Sequence, residues 1–438
     1  MNQIKCTDFF TQEYVNFASY DNLRKIASLV DGFKNSSRKI ACTILDKNIT
    51  KMEKVSRLDS KFAEYTEYLH GSACTVIVGM AQNFPGSNNL PLLTREGNFG
   101  SRFIKEASAP RYIYTNGSEE MFKLFNKDDN KILKKQYFEG TEIEPVHYVP
   151  SLPLLLINGA ESPSVGFAQK ILGREPNAIK KIIETFLKTG TLEKVPAPVY
   201  VGFNGNIKQG ENEKQWLIQG TFKRISSTKI EITEIPVHYQ LKSYIKVLDE
   251  LEDKGVIRSY QDRSENDIFN FIVTFDSKFL TENDDDKILE KLKLSKKITE
   301  NFTCIDEKNK IQQYESADQI LSHYIRVKLE YMTKRKTYML EQINLDLKKN
   351  TSVYSFIKNI TEEKITVFKK SKSDIISQLS GFNDIVKIDD SYDYLLRLPI
   401  YSLTEEKMTE LLKKIEQSEV EYRELESTSE KALWLEEI

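Results

Sequence analysis

Arg111, Tyr112 and Tyr114, in the stretch EASAPRYIYT, set two phenols two residues apart directly after a guanidinium. A phenol can act as a nucleophile, but its pKa near ~10 leaves it protonated at neutral pH, so it needs a cation or a proton acceptor nearby. Arg111 supplies a planar, permanent charge that can hold an oxyanion as it forms. Spacing alone leaves a second reading open, because residues two apart on a strand share a face and both tyrosines could pack there.

Other groups are equally ambiguous by themselves. His70 in EYLHGSAC is isolated, and a lone histidine fits a surface or packing role as well as an anion contact. Arg24, Lys34, Arg38 and Lys39 form a basic cluster that reads either as a solvated helix face or as an anion-binding one. From Gly71 to Thr94 there is no charged side chain. That stretch predicts either a buried helix with its exit loop or a helix whose N-terminus can approach a phosphate. Cysteines 6, 42, 74 and 304 make no CxxC or CxxH spacing, which excludes a zinc ribbon and a disulfide framework and suits a reducing compartment.

Positioning such groups requires several modules, since 438 residues exceed one compact core. The composition, 39% hydrophobic and 29% charged, is that of a folded globular chain, and the net charge of −2 confines any nucleic-acid surface to a local patch. The opening MNQIKCTDFF has no apolar signal core, and the runs LPLLLI and TVIVGMA are too short to span a bilayer. Residues 1–150 predict helices, including one in GSACTVIVGMAQNF, followed by a small sheet at RYIYT. Residues 151–317 alternate strand-like stretches (APVYVGFNG, KIEITEIPVHY, IFNFIVTF) with helical ones (AIKKIIETFLKTG, SYIKVLDELEDKG), as an α/β domain does. Residues 318–438 hold two long amphipathic helices, the second capped at Thr404, which predict an antiparallel pair with an insertion at its tip or a helical hairpin packed on the body. From Tyr401 onward eleven acidic residues face five basic ones, so this segment predicts a solvated helix rather than a DNA contact.

Several motifs occur together in a fixed order. QNFPGSNNLPLLTREGNFGSR precedes SAPRYIYT, with DNLRKIASLVDGFKNSSRKI and EYLHGSACTVIVGMAQNF upstream. Downstream come IEPVHYVPSLPLLLINGAE, ITEIPVHY, YIRVKLEYMTKRKTYML, YDYLLRLPIYSLTEEK and ALWLEEI. This series resembles the breakage-reunion core of type IIA DNA topoisomerases, in the form of eukaryotic topoisomerase II and the medium subunit of T-even-like phage enzymes, over nearly the whole chain. The resemblance implies an α+β multidomain chain: a winged-helix DNA-binding module (1–150), an α/β tower (151–317), and a long antiparallel coiled coil with a helical dimer gate (318–438).

By that resemblance Tyr112 is the nucleophile that becomes joined to the 5′ end of a cut DNA strand, assisted by Arg111, with Tyr114 a structural neighbour. His70 matches the second histidine of the family's YHHGE, which holds the reacting phosphate, and Leu69 replaces the first. Arg24, Lys34, Arg38, Lys39 and Ser72 match DNA-contacting positions, with Arg24 and Lys34 suited to act on the site of a second copy. Pro163, in NGAESPSVGFA, takes the place of an isoleucine that wedges between base pairs in many relatives, which leaves the identity of the wedge open. Gyrase-type enzymes bind quinolones through a serine and an acid on the helix after HG. The matching positions here are Ala73 and Ile77, so drugs that rely on that bridge are expected to act weakly.

The resemblance further implies an ATP-dependent enzyme that passes one duplex through another, working as a homodimer. The chain has no TOPRIM-like acidic motif and no ATP-binding motif, so magnesium and ATP are expected on separate partner subunits and no metal site on this chain. Relaxation and decatenation are favoured over supercoiling because no DNA-wrapping domain follows ALWLEEI. The expected location is cytoplasmic, in a host cell if the gene is a phage's. A non-enzymatic DNA-bending protein on the same fold is the alternative.

Overall fold

A computed structural model describes residues 5–438; the first four residues of MNQIKCTDFF lie outside it. The described residues divide into two compact units, residues 5–328 with 437–438 and residues 329–436. Helices and short antiparallel sheets are mixed throughout.

The first unit includes the helices Val15–Lys25, Asn35–Asp46, Val55–Tyr65 and Cys74–Ala81. In Asn35–Asp46 the apolar side chains Ile40, Ala41 and Ile44 recur three and four apart and are buried, which gives the helix its inward face. The turn Val30-Asp31-Gly32 ahead of it is fixed twice. Asp31 is fully buried and accepts from the Phe33 and Tyr148 backbone N–H groups as well as from Arg38. Gly32 has φ +70°, and a Cβ there would lie 2.6 Å from the Leu155 nitrogen. The sheet expected at RYIYT is small: Glu53–Lys54 pairs antiparallel with Tyr114–Thr115.

Later in this unit the helix Pro176–Thr189 follows its sequence signals. Glu175 caps it by accepting from the Ala178 N–H, proline sits in its first turn, and Ile179, Ile182, Ile183 and Leu187 are buried. A four-stranded antiparallel sheet runs Ser259–Asp262, Phe271–Thr274, Lys229–Glu234, Thr221–Arg224. In Lys229–Glu234 the alternation puts Ile230 and Ile232 into a core shared with Phe271, Val273 and with Tyr244 and Leu248 of the helix Leu241–Asp253. A second sheet orders Ser295–Thr299, Gln215–Gln219 and Asn206–Gln209. The strand expected in APVYVGFNG does not form. Pro196 and Pro198 lack the N–H a ladder needs, and Val199 and Val201 donate instead to the Gly173 carbonyl and the Asn89 side chain.

In the second unit the helix Ala317–Thr361, 45 residues long and begun in the first unit, is accompanied by Glu405–Ser427, whose N-cap is Thr404 as predicted. The two run antiparallel. Lys336 donates to the Glu426 and Thr428 carbonyls, whereas Val353 and Phe356 share a core with Leu411. The helix Lys372–Leu379, closed by a capping box at Ser371, adds Ile375 and Leu379 to that core.

Candidate active site

Tyr112 stands on a turn, not on the strand. Its N–H donates to the Ala109 carbonyl at 2.9 Å, and the strand begins two residues later at Tyr114. The two tyrosines therefore differ in kind. The backbone N–H and C=O of Tyr114 exchange 2.9 Å hydrogen bonds with Glu96, while the Tyr112 side chain is 65% exposed. Between them Ile113 is 1% exposed and accepts from the Val55 N–H, so the turn is anchored from below by a buried side chain. Gly97 makes room for that anchor: it has φ +95°, and a Cβ there would press on Ile113 at 3.0 Å. Arg102, from the same glycine-punctuated loop, donates to the Ile235 and Tyr239 carbonyls and lies beside Glu234, which fixes the loop to the sheet region. Arg111 is exposed and places its guanidinium over the Tyr112 ring, 4.8 Å from the centroid.

His70, also exposed, is approached by the Tyr20 hydroxyl at 2.9 Å from Nε2 and by the Tyr68 ring, edge-on with centroids 5.7 Å apart. Tyr20, Arg24, Arg38 and His70 border one cavity of about 210 Å³. Thus the fold gathers His70 with Arg24 and Arg38, and Tyr112 is not among the residues lining that cavity.

The basic residues divide by environment. Arg24 is half-buried at the cavity. Lys34 donates to the Glu161 carbonyl at 2.9 Å, and burial pulls its ammonium pKa down, with Glu161 opposing. Arg38 and Lys39 are both buried. Arg38 holds Asp31 through two nitrogens at 2.7 and 3.0 Å. Lys39 is buried against Glu144 at 2.7 Å and donates to the Thr66 carbonyl. Their charges are met inside the chain, as the buried environment demands.

Ser72 is exposed and donates to Asp59, whose other carboxylate oxygen accepts the Ala73 N–H. The helix Cys74–Ala81 therefore does not present the uncharged N-terminus that its own sequence suggests, because Asp59 arrives from the helix Val55–Tyr65 to cover it. Ala73 and Ile77 are both buried and carry neither hydroxyl nor carboxylate.

Pro163 lies exposed on the hairpin Ala160–Ser164/Phe167–Ile171, opposite Ala168. Sequence reasoning missed what grips the hairpin tip. Asp21 accepts from the Ser164 hydroxyl and the Val165 N–H, and Asn22 donates to the Val165 carbonyl at 3.2 Å. The signal in the sequence is the Asp-Asn pair of DNLRKI, two short polar side chains in a helix that favour a partner outside it. Among the described residues no group of three or more His, Cys, Asp or Glu side chains gathers as a metal site.

The structure superposes on the DNA-binding, cleavage and re-ligation domain of Plasmodium falciparum topoisomerase II with a TM-score of 0.84 and 30% identity, covering 98% of this chain and 63% of that one. Residues 24–438 match the DNA gyrase/topoisomerase IV A-subunit family, and the chain belongs to that family. It is 32% identical over 448 residues to the mitochondrial DNA topoisomerase 2 of Dictyostelium discoideum, covering 99% of this chain and 35% of that protein. With DNA topoisomerase 2 of Saccharomyces cerevisiae it shares 31% over 492 residues, covering 99% and 34%. The chain spans about a third of the length of these curated relatives.

Proposed function

We propose that this chain is the DNA-cleaving and religating subunit of an ATP-dependent type II DNA topoisomerase. The observation that carries the reading is the exposed Tyr112 phenol on an anchored turn under the Arg111 guanidinium, in a chain of this family. The Tyr112 oxygen attacks a backbone phosphorus, forming a 5′-phosphotyrosyl bond as the bond to O3′ breaks. The phenol gives up its proton and O3′ leaves as the 3′ hydroxyl. Religation is the reverse, and the diester retains enough of the original bond energy to need no ATP. Arg111 meets charge on the non-bridging oxygens, and His70 and Arg24 bind phosphate at their shared cavity. Arg38 and Lys39 serve by holding the Asp31 turn and the Glu144 contact, while Lys34, Ser72 and the Pro163 hairpin bear on the DNA.

On this reading residues 1–150 are a winged-helix cleavage module, 151–317 a tower, and 318–438 a coiled coil with a dimer gate. Two copies supply one tyrosine to each strand, and a second duplex passes through the break. Magnesium and ATP belong to separate partner subunits, and the working compartment is the cytoplasm. Among the described residues no helix is long and apolar enough to cross a membrane.

The test is an SDS-quenched cleavage assay on end-labelled duplex DNA with magnesium and a competent ATPase partner. The expected result is a 5′-linked adduct that vanishes in Tyr112→Phe. Absence of any adduct overturns the reading in favour of a DNA-bending role, and an adduct that survives in Tyr112→Phe moves the chemistry to another residue.

A further inference from the structure

The helix Val15–Lys25 touches two parts of the site from adjacent residues. Asp21 and Asn22 hold the Pro163 hairpin, and Tyr20, immediately before them, reaches His70 across fifty positions of sequence with its oxygen 2.9 Å from Nε2. The Tyr68 ring restricts the same imidazole from another side. An exposed histidine otherwise samples several rotamers and both neutral tautomers, and a side chain meant to meet a phosphate gains from having one of each.

We propose that Tyr20 is a positioning residue for His70: its hydroxyl donates to Nε2, which fixes the ring and leaves the proton on Nδ1 for the DNA phosphate. The inference rests on the proposed function, and its chemistry is specific. A neutral imidazole has one donor and one acceptor nitrogen, and a phosphodiester oxygen only accepts. The nitrogen that meets the phosphate must therefore carry hydrogen, so the other must accept from its partner. A phenol is suited to donate there. In the opposite tautomer Nε2–H points at Tyr20, and Nδ1 offers a lone pair that repels the phosphate oxygen. Tyr20 also links His70 to the hairpin through a single helix turn, so the phosphate contact and the wedge are set by one element.

The experiment uses the full chain reconstituted with its ATPase partner. The chain has four histidines, so ¹⁵N-imidazole spectra are simple to assign with His70→Gln. The expected wild-type state of His70 is the Nδ1–H tautomer. In Tyr20→Phe it reverts to the Nε2–H form that free histidine favours, and DNA cleavage slows on the order of tenfold with DNA binding unchanged. In a His70→Ala background Tyr20→Phe has no further effect. Slower cleavage without a tautomer change, a tautomer change without slower cleavage, or an effect that persists without His70 each overturns the proposal. An adduct that survives Tyr112→Phe instead defeats the functional reading, whatever Tyr20→Phe does.

Discussion

The Arg111 guanidinium lies over the ring of the residue that follows it, 4.8 Å from the Tyr112 centroid, so the cation rests on the phenol's face. Tyr112→Phe preserves this contact and removes only the hydroxyl. The variant is expected to fold and bind DNA normally and to form no adduct. Arg111→Lys keeps the charge but loses the planar fork. Cleavage is expected to fall roughly a hundredfold, the scale of one lost oxyanion donor. Single-turnover cleavage rates check both, and full rate in Arg111→Lys would show that a point charge suffices.

Asn22 is buried and joins the hairpin tip at both Ser164 and Val165. Asn22→Ala leaves the Val165 carbonyl unpaired and is expected to cost about 1–3 kcal/mol of stability. Pro163→Gly sits on the exposed side of the same hairpin and should leave stability unchanged while reducing the DNA bend. Fluorescence energy transfer between dyes on a short duplex measures the bend, and an unaltered bend in both variants removes the hairpin from DNA deformation.

Lys39 and Glu144 form an ion pair that burial makes mutually dependent. Glu144→Gln strands the ammonium and is expected to destabilise the first unit by roughly 3–5 kcal/mol. The double variant Lys39→Met/Glu144→Leu should recover most of that loss in thermal unfolding. If Glu144→Gln is neutral in stability and Lys39→Met selectively weakens DNA binding, Lys39 acts as a DNA contact after all.

Glu307 accepts from Arg326 at 2.9 Å and lies 2.8 Å from the His323 Nε2. Burial raises its pKa, but these hydrogen bonds and that of its own backbone outweigh burial and bring the carboxyl from 4.5 to about 2. A group lowered on folding gives its full contribution above the unfolded value and loses it as pH falls toward the folded one. Stability should therefore drop between pH 4.5 and about 2. Glu307→Gln should flatten this limb in acid unfolding monitored by circular dichroism, and an unchanged limb would assign the loss to other carboxylates.

Phe368 in the second unit is 85% exposed at the edge of an apolar cavity of about 960 Å³ that Leu396 and Leu398 also line. On the proposed function this face joins two copies. Phe368→Ser is expected to shift sedimentation from dimer toward monomer without altering the helical signal, and a dimer unaffected by it would place the gate contact elsewhere.

How much of the fold and site was legible in the chain depended on the range of the forces involved. Helix Pro176–Thr189 and the Thr404 cap could be read directly, because a cap and a 3.6-residue apolar repeat act within one or two turns. The APVYVGFNG strand failed because β-rich composition does not offset prolines that leave the backbone without donors. The motif order identified the family.

What the sequence determined, then, was the local and the covalent: which residues bear a nucleophile or a fixed charge, which segments are helical, and which motifs follow one another. Tertiary structure alone decided how those groups are used. Asp59 came from another helix to cover the N-terminus at Ala73, Asp31 and Glu144 took up the charges of Arg38 and Lys39, and Tyr20 met His70 fifty residues away. The reason is physical: a buried charge or an open helix end must find a partner in space, and chain separation does not fix which one it will be.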